Sequence, residues 1–99
     1  MSWTFLTNHA QVLLCIARQP DMRMRDIADA VGITERAAQR IVGDLVDEGY
    51  VSRKRVGRRN EYEVKADAPL RHPLAREHEV GEIIDVLGDP GDRRTRRAA

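Results

Sequence analysis

The chain has 99 residues, of which 17 are basic and 16 acidic, so its formal net charge of +1 does not by itself indicate a nucleic-acid partner. This length predicts one small domain, and no apolar run approaches the roughly 20 residues that a membrane span needs. The single cysteine excludes an internal disulfide and favours a reducing compartment, so with no signal peptide in view we expect a cytoplasmic protein.

The first predicted elements are a short aromatic arm and a helix. Trp3 and Phe5 lie in the arm, where we expect them to pack on a core or on a partner. The helix begins after a cap at Thr7 or Asn8 and continues to about Arg18. Because it is apolar on nearly every side, it should be covered on more than one side. We predict that a second protomer supplies part of this cover; the alternative is a central helix within a monomer.

A helix, a tight turn and a longer helix are predicted between Arg25 and Tyr50, after a short extended connector that could hold a single-residue strand. Gly32 ends the first helix, because glycine adopts a left-handed conformation without steric cost, and Thr34 caps the second. At 100° per residue, one face of the second helix is apolar. Its members are Ala38, Ile41, Val42 and Leu45, with Val46 at the border. The opposite face presents Arg36, Arg40, Gly43 and Asp47. The pattern indicates a helix-turn-helix with its second helix displayed.

Two strands, at residues 50–56 and 61–64, are predicted to follow the displayed helix. The turn between them spans residues 57–60, where Gly57 and Asn60 would supply the positive φ angles. Residues 53–65 contain six basic and two acidic side chains, a net charge of +4, so the positive charge is local. Five of these cations lie close together: Arg53, Lys54, Arg55, Arg58 and Arg59. A local positive patch favours a polyanion at one surface.

The last predicted helix extends from Pro73 to about Leu87, after a polar connector at residues 65–72. Its second half has an apolar stripe formed by Val80, Ile83, Ile84 and Leu87. We predict that this helix serves dimerisation; the alternative is that it folds back on its own domain. Residues 88–99 contain four arginines and no large apolar side chain, which predicts a disordered basic tail.

The segment IADAVGITERAAQRIVGDLVDEGYV and the basic hairpin RKRVGRRNEYEV resemble the winged helix-turn-helix of MarR-like and ArsR-like bacterial transcription regulators, over roughly residues 7–64. The resemblance implies an α+β, mostly α fold: three helices, a two-stranded wing and a C-terminal helix. It also implies a homodimer that binds double-stranded DNA. Residues 1–64 would form the DNA-binding domain with its arm, residues 65–87 a linker and dimerisation helix, and residues 88–99 the tail.

The displayed helix would enter the major groove, where arginines pair with guanine or phosphate, glutamine with adenine, and an alanine methyl with thymine. The wing would contact phosphates or the minor groove. Arg23 and Arg25 would meet a phosphate near a helix N-terminus, or else they are only solvated. The predicted DNA contacts are Arg23, Arg25, Thr34, Arg36, Ala37, Gln39, Arg40, Arg53, Lys54, Arg55, Arg58 and Arg59. The predicted dimer interface comprises Trp3, Phe5, Leu13, Val80, Ile83, Ile84 and Leu87.

Enzyme chemistry has little support in this sequence. It has no Gly-rich phosphate loop, no HExxH motif and no cysteine pair, so we expect no catalytic site, cofactor or metal. Cys15 lies in an apolar run, which favours an inert buried thiol.

Two alternatives to DNA binding stay open. One is a winged-helix module that docks proteins; the other is an ArsR-like sensor with metal or ligand at the dimer interface, for which His78 and Glu82 stand four residues apart.

Overall fold

The structure, a computed structural model, describes residues 3–88. It contains three helices, a two-stranded antiparallel sheet and a fourth helix, which confirms the predicted winged-helix fold. In chain order the elements are α1 (Asn8–Arg18), α2 (Met24–Val31), α3 (Glu35–Asp47), β1 (Val51–Val56), β2 (Arg59–Val64) and α4 (Val80–Leu87). The predicted basic tail lies outside the described residues except for Gly88.

Local sequence sets the ends of the helix-turn-helix and of α1. The Thr7 hydroxyl accepts a hydrogen bond from the Ala10 N–H at 3.2 Å, and the Thr34 hydroxyl accepts one from the Ala37 N–H at 3.0 Å. Gly32 follows α2 with a φ of 84°, in the left-handed region where a Cβ would be strained. Both predicted caps and the predicted glycine stop are therefore confirmed.

The core is formed by one face of every helix together with the base of the hairpin. Its buried side chains are Val12, Leu13, Ile16, Ile27, Ala28, Ala38, Ile41, Val42, Leu45, Val51, Tyr62 and Val80. All four residues of the predicted inner face of α3 belong to it. Because the helix presents its apolar residues at a 3.6-residue period, packing this face leaves the opposite face in solvent.

Helix α1 is the central element of the core. It contacts α2, α3, β2 and α4, and Val12 and Ile16 are 0% and 1% exposed. The prediction that a second protomer covers α1 was therefore wrong, and the alternative of a central helix within one chain is what the structure has. The reason is topological, since the hairpin and α4 return to the sides of α1 that α2 and α3 leave open.

The hairpin is longer than predicted and its turn is shorter. Val51 pairs with Val64 and Val56 with Arg59, so only Gly57 and Arg58 form the turn. Gly57 has a φ of 62° and no described non-glycine residue has a positive φ, a pattern that matches a type II′ turn. The predicted four-residue turn was wrong, because one glycine is sufficient for a two-residue connection that matches the strand twist.

The C-terminal helix begins at Val80 and not at Pro73. The chain folds back on itself before the helix: the Leu70 N–H donates to the His78 carbonyl at 3.0 Å, and the Val80 N–H donates to the Ala68 carbonyl at 2.9 Å. This pairing holds Glu79 in an extended conformation directly before the helix, and residues 73–77 form turns, so α4 does not extend back to Pro73. The predicted helix start was therefore wrong.

A capping box starts α4. The Glu79 side chain accepts from the backbone of Glu82, and the Glu82 side chain accepts from the Glu79 N–H at 2.7 Å. Val80 is buried in the core, while Leu70 and Ile84 pack against it. The helix therefore folds back on its own domain, which was the alternative prediction. Within residues 3–88, no helix combines the length and hydropathy that crossing a membrane requires.

Candidate nucleic-acid interface

The outer face of α3 is available to a partner. Arg36, Gln39 and Arg40 are exposed and Ala37 is half-buried, because the four apolar residues of the inner face pack into the core. Neither arginine forms a salt bridge with a carboxylate of the described chain. Thr34 is exposed as well, but its hydroxyl oxygen already accepts the capping hydrogen bond. The face therefore presents two unpaired guanidinium groups at the N-terminal half of the helix.

The cations of the wing divide between its two faces. Side chains of paired residues share a face and successive residues alternate. Arg53 and Arg55 thus lie on the face of Tyr62, while Lys54 and Arg59 lie on the other. The Arg53 guanidinium carbon is 6.0 Å from the centre of the Tyr62 ring. The sequence prediction treated these cations as one group, although the strand period could have separated them.

The wing is fastened to the connector between α1 and α2. The Arg59 guanidinium donates to the Asp21 carbonyl at 2.6 Å, and the Tyr62 N–H donates to the Pro20 carbonyl at 3.3 Å. The suggested third strand is not among the assigned elements of residues 3–88. Arg59 uses one of its five N–H donors in this contact, so the others stay available.

A cleft of about 300 Å³ lies where the connector, α3 and the wing meet. Its lining residues are Met22, Arg23, Met24, Gln39, Arg59, Asn60 and Tyr62. Three of them, Arg23, Gln39 and Arg59, were among the predicted DNA contacts. Asn60 was missed because it had been assigned to the turn. A two-residue Gly-Arg turn would have placed Asn60 in β2, opposite Arg55.

The remaining predicted DNA contacts lie outside the cleft. Arg25 is exposed in the first turn of α2, whose N-cap residue, Arg23, makes no side-chain capping hydrogen bond. Arg58 lies at the turn of the wing and is exposed. The structure thus places the predicted contacts on three neighbouring elements and leaves them accessible.

The residues of the predicted dimer interface have three different environments. Leu13 and Val80 are buried within their own chain, at 6% and 2% exposure, so they are not free to contact a partner. Ile83 and Ile84 are half-buried, and Leu87 is 38% exposed. In the arm, Trp3 and Phe5 are 66% and 91% exposed, and their rings meet edge to face with centroids 5.1 Å apart. Their own core does not cover them.

A second, larger cavity of about 870 Å³ lies at the C-terminal end of α3. Glu48 and Arg71 in its lining form a salt bridge at 3.1 Å, and the Tyr50 hydroxyl donates to the Pro69 carbonyl at 3.0 Å. Lys65 and Asp67 add one charge of each sign. The mixed charges of this cavity contrast with the cleft, whose lining contains no carboxylate.

The predicted His78–Glu82 pair exists in the structure, with Nδ1 of His78 2.8 Å from a Glu82 carboxylate oxygen. The Glu79 N–H, and after it His78, lower the pKa of the Glu82 carboxyl. No third histidine, cysteine, aspartate or glutamate joins them in the described part of the chain. At Cys15, partial burial raises the pKa of the thiol, and the nearby Arg18 charge opposes that shift.

The chain matches a protein-family model and chains of known structure. The MarR family model matches residues 4–59, more than half of the chain. Among solved structures, the chain is similar to the zinc-dependent MarR family transcriptional regulator AdcR in the Zn(II)-bound state. The TM-score is 0.47 and the identity 18%, over 99% of this chain and 73% of that chain. No curated protein matches the chain.

Proposed function

The chain belongs to the MarR family of winged-helix transcriptional regulators, and from this we propose that it binds specific sequences of double-stranded DNA as a homodimer in the cytoplasm. One observation supports DNA as the partner above all. The exposed cationic face of α3 and the cationic wing lie on either side of one cleft that contains no carboxylate. A displayed helix fits the major groove, which is about 12 Å wide, and cations on the flanks match the phosphates there.

Within this proposal the elements have separate roles. Arg36 and Arg40 pair with guanine edges or phosphates in the major groove, and the Ala37 methyl packs against thymine. Arg58 at the tip of the wing reaches the adjacent minor groove or its phosphates. Arg25 neutralises a phosphate near the start of α2. Contacts to phosphates supply affinity, while contacts to base edges supply sequence preference.

The proposed homodimer is supported by apolar side chains that their own chain leaves exposed or half-buried. Trp3 and Phe5 in the arm are the main candidates, and Ile83 and Leu87 on α4 add to them. A stable interface buries about 1,600 Å² in total, so these residues would form its apolar centre and not its whole area. A two-fold dimer would bind inverted half-sites one helical turn apart, or a multiple of that.

The proposal is tested by selection of duplexes from a random pool, followed by titration of the best duplex at several salt concentrations. We expect log K to fall linearly with log salt, with a slope of about −0.9 for each phosphate contact. Arg58→Ala should make the slope shallower by about 1.8, because a dimer loses two contacts. Arg76→Ala removes the same charge from an exposed site in the larger cavity and is the matched control.

Two results would count against the proposal. If no duplex binds even at low salt, the module docks proteins and not DNA. If Arg58→Ala and Arg76→Ala change the slope equally, the net charge of the protein explains the salt dependence and the wing does not contact the DNA.

A further inference from the structure

The cleft between α3 and the wing lies where a DNA strand would cross the protein. If α3 enters the major groove and the wing reaches the adjacent minor groove, the sugar–phosphate backbone that separates these grooves has to pass between the two elements. We infer that the cleft binds one phosphodiester of that backbone. The side-chain amides of Gln39 and Asn60 donate hydrogen bonds to this phosphate. This inference rests on the proposed function and names the part of DNA that one site takes.

The chemistry of the lining fits a phosphate better than a base edge or an apolar group. Gln39 and Asn60 each offer an amide with two N–H donors, and Arg23 adds a guanidinium with five. No carboxylate lines the cleft, so no negatively charged side chain in the lining repels an anion. The volume of about 300 Å³ leaves room for one phosphate group.

The wing side of the cleft is held in place by the fold. Arg59 donates to the Asp21 carbonyl at 2.6 Å, and the Tyr62 N–H donates to the Pro20 carbonyl at 3.3 Å. These bonds join β2 to the connector that provides Arg23. Asn60 lies between Arg59 and Tyr62 in β2, so the two hydrogen bonds also fix the position of its backbone. A preorganised site loses less conformational freedom on binding.

The inference gives Gln39 a different role from the one predicted from the sequence. There it was expected to read adenine; at the cleft it would bond a phosphate and have no base preference of its own. Asn60 is a DNA contact that was not among those predicted from the sequence. Arg36 and Arg40 do not line the cleft and stay the candidates for base contacts.

The test uses a duplex selected by the wild-type protein and copies of it with a single neutral methylphosphonate at each backbone position in turn. Neutralising the phosphate in the cleft should weaken wild-type binding about tenfold, which is typical of hydrogen bonds to a charged group. The same methylphosphonate should have little further effect on the Gln39→Ala/Asn60→Ala double variant. Asn8→Ala, which removes an amide from the exposed first turn of α1, should respond like the wild type.

The outcomes separate the cleft from the wider proposal. Equal weakening of selected and random duplexes by Gln39→Ala and by Asn60→Ala would support a phosphate contact. Loss of preference at one base pair in Gln39→Ala would overturn it, and so would a methylphosphonate scan in which no position distinguishes wild type from double variant. The scan on the wild type keeps the inference testable if a variant misfolds. Absence of binding to any duplex would instead overturn the proposed function, and the cleft assignment with it.

Discussion

Individual side chains of one type have different roles here because their partners differ. Arg58 and Arg59 are neighbours and both are exposed, yet Arg59 donates to a backbone carbonyl at 2.6 Å while Arg58 lies at the tip of the turn. Truncating Arg59 would therefore loosen the wing as well as remove a charge. Arg58 is the cleaner probe of phosphate contact for that reason.

The first prediction at this scale concerns base readout by Arg40. Arg40→Ala should weaken binding to the selected duplex by roughly 1–3 kcal/mol, because a bidentate arginine–guanine pair contributes about that much discrimination. It should also relax the preference at one position in each half-site. Competition binding against a panel of single-base variants measures both effects. Equal weakening across the whole panel would assign Arg40 to a phosphate instead.

The second prediction concerns the acid response of Glu82. Folding lowers the pKa of this carboxyl, first through the Glu79 N–H and then through His78. The ionised form therefore stabilises the folded chain above the unfolded pKa, and this contribution is lost as the pH falls through the folded value. Glu82→Gln should lower stability at neutral pH, and the difference from wild type should vanish at acid pH.

Urea unfolding of both proteins at a series of pH values down to about 3 measures this difference. Glu77→Gln changes the same charge on an exposed side chain close by and is the control. If the wild-type and Glu82→Gln curves stay parallel down to the lowest pH, ionisation of Glu82 is not linked to folding.

At the scale of elements, the docking of α4 depends on its close approach to the polar connector at residues 65–72. A Cβ at Gly81 would lie 2.8 Å from the Ala66 carbonyl oxygen, while one at Gly43 in the middle of α3 would meet nothing within 4 Å. The two glycines therefore have different effects on stability. Gly81 permits the contact by which the helix docks, whereas Gly43 only makes α3 less stable than alanine would.

Substituting alanine at the two glycines should thus have effects of opposite sign. Gly81→Ala should destabilise the fold by about 1–3 kcal/mol, since backbone atoms have to shift to admit the methyl group. Gly43→Ala should stabilise it by about 0.5–1 kcal/mol. Urea midpoints with unchanged slopes would measure both. A neutral Gly81→Ala would show that α4 can dock without this contact.

At the scale of the whole molecule, the core of one chain covers α1 and the first half of α4 but not the arm. Phe5 and Leu74 are both 91% exposed, and only Phe5 was assigned to an interface. Exposed aromatic groups next to each other are a recurring feature of protein interfaces. The arm is therefore the region where a partner protomer has most to bury.

A matched pair of variants tests this placement. Phe5→Ser should shift the protein from dimer towards monomer by at least tenfold in dissociation constant, because burying such an aromatic ring contributes about 1.5–3 kcal/mol. Leu74→Ser should leave the dimer unchanged. Sedimentation velocity across a concentration series measures both. A wild-type monomer at tens of micromolar would refute the homodimer, and dissociation by Leu74→Ser alone would place the interface elsewhere.

A substitution at Ile84 would not be a suitable test of the dimer. Ile84 is half-buried and packs against the core, so Ile84→Asp would destabilise the fold whether or not a dimer forms. The sequence stripe on α4 could not show this, because it marks apolar residues without indicating which neighbour they contact.

Features that depend on neighbours along the chain could be predicted from the amino-acid sequence. The cap at Thr34, the left-handed glycine at position 32 and the inner face of α3 all follow from the geometry of a single helix and its ends. Such interactions join residues a few positions apart, so the local pattern contains both partners. The winged-helix fold itself is implied by the resemblance of the helix-turn-helix and the basic hairpin to known regulators.

Features that depend on distant segments became evident only from the folded chain. The cover of α1 by β2 and α4, the start of α4 at Val80 and the cleft that joins Arg23 to Asn60 each bring together residues far apart in the chain. An apolar face in a sequence shows that something covers it but not which segment does, because hydrophobic burial is non-directional. Which surfaces remain exposed for a partner is decided only when the whole chain has folded and buried its own apolar faces.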